Sequence, residues 1–193
     1  MNPALKLVAS TELDDMTLVR AKAGDRAALE ALIEMYQDRV FALIWRMLLG
    51  RGVDRTHDLA QDTFVRVLRA IGGFDARGPA KLSTWILTIA TRVVMNERRR
   101  AGRDRAELDD EAIAAAVSTE NPVEQRALAK ALIAGIAALP DDQRAVFVLR
   151  EYHELDYAEI AGALDIPENT VRSRLHRART ALRDELAAKG VVP

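Results

Sequence analysis

The chain has 193 residues, with 28 Lys and Arg against 29 Asp and Glu, for a formal net charge of −1. It contains no cysteine, which excludes disulfides, thiolate metal sites and cysteine nucleophiles. A composition rich in Ala, Leu and Arg, with 5% aromatic residues and no apolar run of membrane-span length, argues for helices and against a transmembrane segment or secretory signal.

Residues 1–13 read as a tail, and helical periodicity begins near Asp14. Leu29, Leu32, Ile33, Tyr36, Val40, Leu43, Ile44 and Met47 recur at three- and four-residue steps, the pattern of a long amphipathic helix that Gly50 and Gly52 should end. Asp54 or Thr56 suits the N-cap of a second helix whose inner side carries Leu59, Thr63, Phe64, Val67, Leu68 and Ile71. Asp58, Gln61 and Asp62 share its outer face. Composition and spacing do not distinguish that face from any solvated helix surface. Gly72-Gly73 and Gly78-Pro79 mark a loop, after which Ser83 is the expected N-cap of a third helix ending in Arg98, Arg99 and Arg100.

On this third helix Leu82, Ile86, Ile89 and Val93 form the inner stripe, while Thr84, Thr88, Thr91, Arg92, Met95 and Arg99 lie opposite. Trp85 falls at the boundary, beside the loop that holds Phe74. From Arg92 to Arg105 six Arg oppose Glu97 and Asp104, a local +4. Arginines and hydroxyls beside an aromatic suit single-stranded nucleic acid. Taken alone, the residues fit a solvated helix end slightly better, since cations are favoured at a helix C-terminus.

Residues 101–122 form the core of an acidic linker. Between Asp104 and Glu124 seven acids face Arg105 alone, a local −6, with Ser118-Thr119 and Asn121-Pro122 nearby. Periodicity then resumes over 123–188, leaving 189–193 as a second tail. Leu128, Leu132, Ile136 and Leu139 make one stripe, and Pro140 with Asp141 opens the next helix through Val146, Leu149 and Tyr152. Asp156 and Glu159 have capping-box spacing around a short helix with Ile160, Ala161 and Leu164. After Asp165-Ile166-Pro167, a last helix carries Val171, Leu175, Ala178 and Leu182 inward. No valine-rich alternation appears, so the expected fold is all-α: two small helical domains on a flexible acidic linker.

A short helix, a tight turn and a longer helix is the layout of a helix-turn-helix. Asn169, Arg172, Ser173, His176, Arg177 and Thr180 face outward on the last helix, with Arg174 and Arg179 on the rims. From Glu168 to Arg183 five Arg oppose one Glu, a local +4. Arginine donors match guanine edges and phosphates in a major groove, so this face reads as a DNA reader.

Several motifs, in order, now carry a family resemblance. They are Asp58-Leu-Ala-Gln61-Asp62-Thr-Phe64, Leu82-Ser-Thr84-Trp85-Ile-Leu-Thr-Ile89-Ala90, Leu139-Pro140, Tyr157-Ala-Glu159-Ile160-Ala161 and Thr170-Val171-Arg172-Ser173-Arg174-Leu175-His-Arg177-Ala178-Arg179. Together they resemble a bacterial RNA polymerase sigma factor of the compact extracytoplasmic-function (ECF) group, over residues 14–188. The resemblance implies that Asp58, Gln61 and Asp62 dock on core polymerase, within a region 2 spanning 14–100. It assigns Phe74, Thr84, Trp85, Thr88, Thr91, Arg92, Asn96 and Arg99 to opening and holding single-stranded −10 DNA. It assigns Asn169, Arg172, Ser173, Arg174, His176, Arg177 and Arg179 to the double-stranded −35 element, within a region 4 spanning 123–188. It further implies an anti-sigma partner, a cytoplasmic location, no cofactor, no metal and no catalytic residue. Relatives often carry Asn at Arg92 and Asp at Asn96, so −10 preferences do not transfer.

Two other readings compete. A free-standing helix-turn-helix regulator explains the last two helices but leaves the Asp58-Gln61-Asp62 face and the linker idle. His57-Asp58 invites comparison with a metal phosphohydrolase, yet only His153 and His176 remain as further histidines.

Overall fold

The structure, a computed structural model, describes residues 12–49, 53–100 and 123–190, with side chains of the last stretch from 128 onward. The expected stops at Gly50 and Gly52 and the acidic linker lie outside the described residues. Among the described residues there are eight α-helices, one 3-10 turn and no strand.

In the first unit α1 is Asp15–Lys22, α2 Arg26–Leu48, α3 Val53–Ala70 and α4 Leu82–Arg100, with a 3-10 turn at Ile71–Gly73. Asp14 caps α1 by accepting the Thr17 N–H at 2.9 Å, and Asp25 caps α2 through the Ala28 N–H at 2.9 Å. Between them Gly24 takes φ +84°, a left-handed conformation that costs glycine least. The long helix α2 is the centre of the unit. Leu32, Tyr36, Val40, Leu43, Ile44 and Met47 are buried on it at the spacing read from the sequence, against α3 and α4.

Two expected caps are corrected. Helix α3 begins at Val53, so Asp54 sits in its first turn and Thr56 is buried inside it. Ser83 lies inside α4 and is buried. Its N–H donates instead to Oε2 of Glu12 at 3.2 Å, from 71 residues away. Glu12 and Leu13, expected in the tail, thus belong to the packed unit. Glu12 also accepts the Tyr36 hydroxyl at 3.1 Å, and the Leu13 N–H donates to that hydroxyl at 3.0 Å.

The second unit comprises α5 (Val123–Ala138), α6 (Asp141–Glu151), α7 (Tyr157–Leu164) and α8 (Glu168–Ala188). The capping box is present: Asp156 and Glu159 each accept the other's backbone N–H at 2.8 Å. Asp165 ends α7 in the left-handed region at φ 55°, and Pro167 precedes α8. Val171, Leu175, Ala178 and Leu182 are buried on α8 as the periodicity requires. At Gly135 α5 lies close against α8, since a Cβ there would sit 2.9 Å from Cδ2 of Leu182.

The two units are not separate in space. Helix α7 packs on α4, α6 packs on α2, and one buried core runs through both units. Arg98 of α4 and Arg144 of α6 converge on the Met47 carbonyl, at 2.9 and 3.1 Å, near the end of α2. Arg98 also pairs with Asp141. Further contacts of Arg144 with the Ile136 and Leu139 carbonyls, at 2.9 and 2.8 Å, satisfy the end of α5.

Candidate nucleic-acid interface

Three surfaces hold the residues singled out by sequence. The first is the outer face of α3, where Asp58 and Gln61 are exposed and Asp62 is half-buried. Asp62 pairs with Arg66 at 3.0 Å, while Arg55 reaches Asp58 at 3.5 Å and Glu97 of α4 at 2.6 Å. The Arg55–Glu97 pair ties this face to α4. Beside it is a cleft of about 410 Å³ lined by Gln37, Asp38, Phe41, His57, Gln61 and Phe64. The His57 ring lies 4.8 Å from that of Phe41, so His57 is a wall of the cleft. An apolar cleft rimmed by carboxylates and amides suits another protein's helices. Phe41 and Gln37 were missed in the sequence because they lie on the neighbouring helix, with no motif to link them to Asp58.

The second surface is the far side of α4. Phe74 is buried and packs on Trp85 with ring centroids 5.2 Å apart. Thr84 and Thr91 are buried too. The Thr84 hydroxyl donates to Oε1 of Glu159 at 2.7 Å, across from α4 to α7. Thr88 and Thr91 turn their hydroxyls back to the carbonyls of Thr84 and Leu87, at 2.8 Å each. A cleft of about 550 Å³ runs between the helices, lined by Thr91, Arg92, Met95, Asn96 and Arg99 on one side and Ala163, Leu164 and Asp165 on the other. Arg99 hydrogen-bonds Asn96. Of the residues expected at a single-strand surface, Phe74, Thr84 and Thr91 are thus buried, while Arg92, Asn96 and Arg99 line a cleft that faces α7.

The third surface is α8. Ser173, His176 and Arg177 are exposed in a row, and exposed Arg172 is steadied by Oδ1 of Asn169 at 2.9 Å. Its guanidinium lies 5.8 Å from the Tyr157 ring. The rim arginines are engaged within the unit: Arg174 with Asp142 at 3.0 Å, Arg179 with Glu151 at 2.5 Å. Arg174 is mainly a strut to α6, whereas Arg172 and Arg177 point outward.

His153 is buried on the turn after α6, and neither ring nitrogen has a hydrogen-bond partner. Burial, and then Arg46 and Arg39 of α2, push its pKa from 6.5 down to about 3. It is a neutral side chain at the contact between the units. Among the described residues no group of His, Asp and Glu is placed to hold a metal, and no helix is long and apolar enough to cross a membrane.

Comparison with known proteins agrees with this geometry. The family descriptions "Sigma-70 region 2" and "Sigma-70, region 4" match residues 32–104 and 129–182. The chain is 33% identical to the ECF RNA polymerase sigma factor SigW of Bacillus subtilis, over 86% of this chain and 93% of that protein. It is 34% identical to the ECF RNA polymerase sigma-E factor of Salmonella typhimurium, over 90% of this chain and 94% of that one. Two solved structures share its fold. One is the sigma factor RpoE with the anti-sigma factor NepR from Bartonella quintana, with a TM-score of 0.66 and 20% identity over 82% of this chain and 96% of that one. The other is CnrH with the cytosolic domain of CnrY, with a TM-score of 0.65 and 22% identity over 90% and 96%.

Proposed function

The chain belongs to the ECF group of bacterial RNA polymerase sigma factors, promoter-specificity subunits that are not themselves enzymes, and from that premise we propose which of its surfaces does what. The α3 face with Asp58, Gln61 and Asp62 docks on core polymerase. The Phe74 loop and the Thr84 to Arg99 side of α4 open and hold −10 DNA. The exposed row of α8 reads the −35 element. The units described correspond to regions 2 and 4, joined by the acidic linker, and the chain acts in the cytoplasm, where an anti-sigma protein restrains it. Unstacking a base costs a few kcal/mol, so α4 needs both a stacking surface and hydrogen-bonding groups at one place. Trp85 supplies the first; Thr88, Arg92 and Asn96 supply the second.

One observation carries the reading: an acid-and-amide face on α3, an arginine- and threonine-bearing side of α4 and an exposed arginine row on α8 occur on one chain in that order. A free-standing regulator has no use for the first two. Core binding tests it directly. The double change Asp58→Arg/Gln61→Arg places two cations where the docking face carries acid and amide, and it should weaken binding of core polymerase by at least about tenfold. Unchanged binding of the variant, or no binding by the natural chain, would refute the assignment.

A further inference from the structure

The loop over 74–81 joins the 3-10 turn to α4, and its two ends are held from outside. At one end Nζ of Lys22 donates to the Phe74 carbonyl at 2.6 Å, across 52 residues of chain. At the other, Glu12 accepts the N–H of Ser83 in the first turn of α4 at 3.2 Å. The tip organises itself, because Asp75 accepts the Arg77 N–H through its side chain at 2.9 Å and the Gly78 N–H through its carbonyl at 3.1 Å. Asp75, Ala76 and Arg77 are exposed, whereas Phe74 below them is buried against Trp85. The residue before α4 is Lys81, whose side chain has no acceptor, so the helix has no cap of its own. A carboxylate at a helix N-terminus meets both an orphan N–H and the positive end of the dipole. Glu12 fills that place, and Tyr36 fixes its orientation.

We propose that Glu12 and Lys22 are positioning residues for −10 recognition: the segment bearing α1 braces both ends of the 74–81 loop, so that loop and first turn of α4 meet the displaced strand already in the binding geometry. The inference rests on the reading of that loop and α4 as the −10 element. Preorganisation matters because a loop that orders only on binding spends part of its contact energy on ordering. The brace differs from a mere packing contact in acting on geometry at the loop: the hydrogen bonds of Glu12 and Lys22 go to Ser83, Tyr36 and Phe74, not to the proposed docking face of α3 or the reading face of α8.

The experiment uses the full chain with core polymerase on promoters recovered by run-off transcription of genomic fragments. Lys22→Met and Glu12→Ala should each reduce permanganate reactivity of −10 thymines by about tenfold, while core binding stays within about twofold. They should also flatten the preference among single-base variants of the −10 element. Lys22→Arg and Glu12→Gln, which retain a donor and an acceptor, should recover most of both effects. General destabilisation would lower core binding and all promoters together and leave the base preference unchanged; that outcome overturns the proposal. Trp85→Ala, measured alongside, separates the two claims. If Trp85→Ala abolishes melting and the brace variants do not, the brace is wrong and the −10 reading stands. If Trp85→Ala melts normally, the −10 reading itself fails.

Discussion

His153 faces two guanidiniums, Arg39 and Arg46, from a buried position where no carboxylate is its hydrogen-bond partner. Its folded pKa of about 3 lies below the ordinary 6.5, so between those values the unfolded chain binds a proton that the folded chain refuses. This contribution to stability is therefore complete above pH 6.5 and is lost progressively as the pH falls toward 3. Between pH 7.5 and 5.5 the loss should come to about 1.4 kcal/mol. Urea unfolding at both pH values measures it, and His153→Leu should reduce the pH dependence by that amount; an unchanged slope would remove His153 from the account. Arg46 tolerates the same site by a different means, lying 4.1 Å above the Tyr152 ring, whose face offers a cation some of the attraction a carboxylate would. Neither arrangement was legible in the sequence, where His153 and Arg46 lie 107 positions apart with nothing periodic to join them. Ser83 shows the same limit. A hydroxyl before a hydrophobic run is a fair sign of a cap, but the local signal carries no knowledge of Glu12.

At the level of elements the fold is most legible in the sequence where burial repeats. The stripes of α2 and α8, the capping box of α7 and the Pro140 start of α6 all appear where spacing placed them, since each is set by neighbours within a few residues. The two sides of α8 were legible for the same reason, but the roles of its arginines divide by partner. Arg174 and Arg179 are tied to Asp142 and Glu151 of α6, although Arg179 stays exposed, whereas exposed Arg172 and Arg177 carry no tie to α6 among the ion pairs of the described residues. A bidentate contact to a base edge is worth about 1–3 kcal/mol of discrimination. Arg172→Ala or Arg177→Ala should therefore relax selectivity at individual −35 bases by about that amount. Arg174→Ala and Arg179→Ala should weaken all promoters alike, because they loosen the seating of α8. Binding to a panel of −35 variants distinguishes the two patterns, and one pattern for all four would contradict this division of the helix.

Across the whole molecule, a net charge of −1 conceals strong local charge: α4 and α8 carry basic stretches, and the acidic linker offsets them. The contact between the units was not legible, because the shared apolar core reads as each unit's own stripes and the polar pairs beside it stand alone. Thr84–Glu159, Arg98–Asp141 and Arg144 on the Met47 carbonyl have no period and no motif. They have a consequence for function. Glu159 and Asp165 bring acid to the side of α4 that carries Arg92 and Arg99, so α7 occupies the ground on which −10 DNA is proposed to lie. Opening the promoter then requires the units to part. The polar pairs exchange for water at modest net cost, about 0.5–1.5 kcal/mol per hydrogen bond, and the shared apolar core adds the cost of the surface it exposes. A chain without cysteine allows a clean test, with dyes placed at Met16→Cys on α1 and Ala181→Cys on α8, both exposed. Energy transfer between them should be high in the free chain and fall when core polymerase binds. Glu159→Gln, which weakens the charge facing α4, should let the free chain bind a single-stranded −10 oligonucleotide several-fold more tightly. Unchanged transfer in a polymerase complex that opens its promoter would show that α7 does not cover the side of α4 proposed to bind DNA.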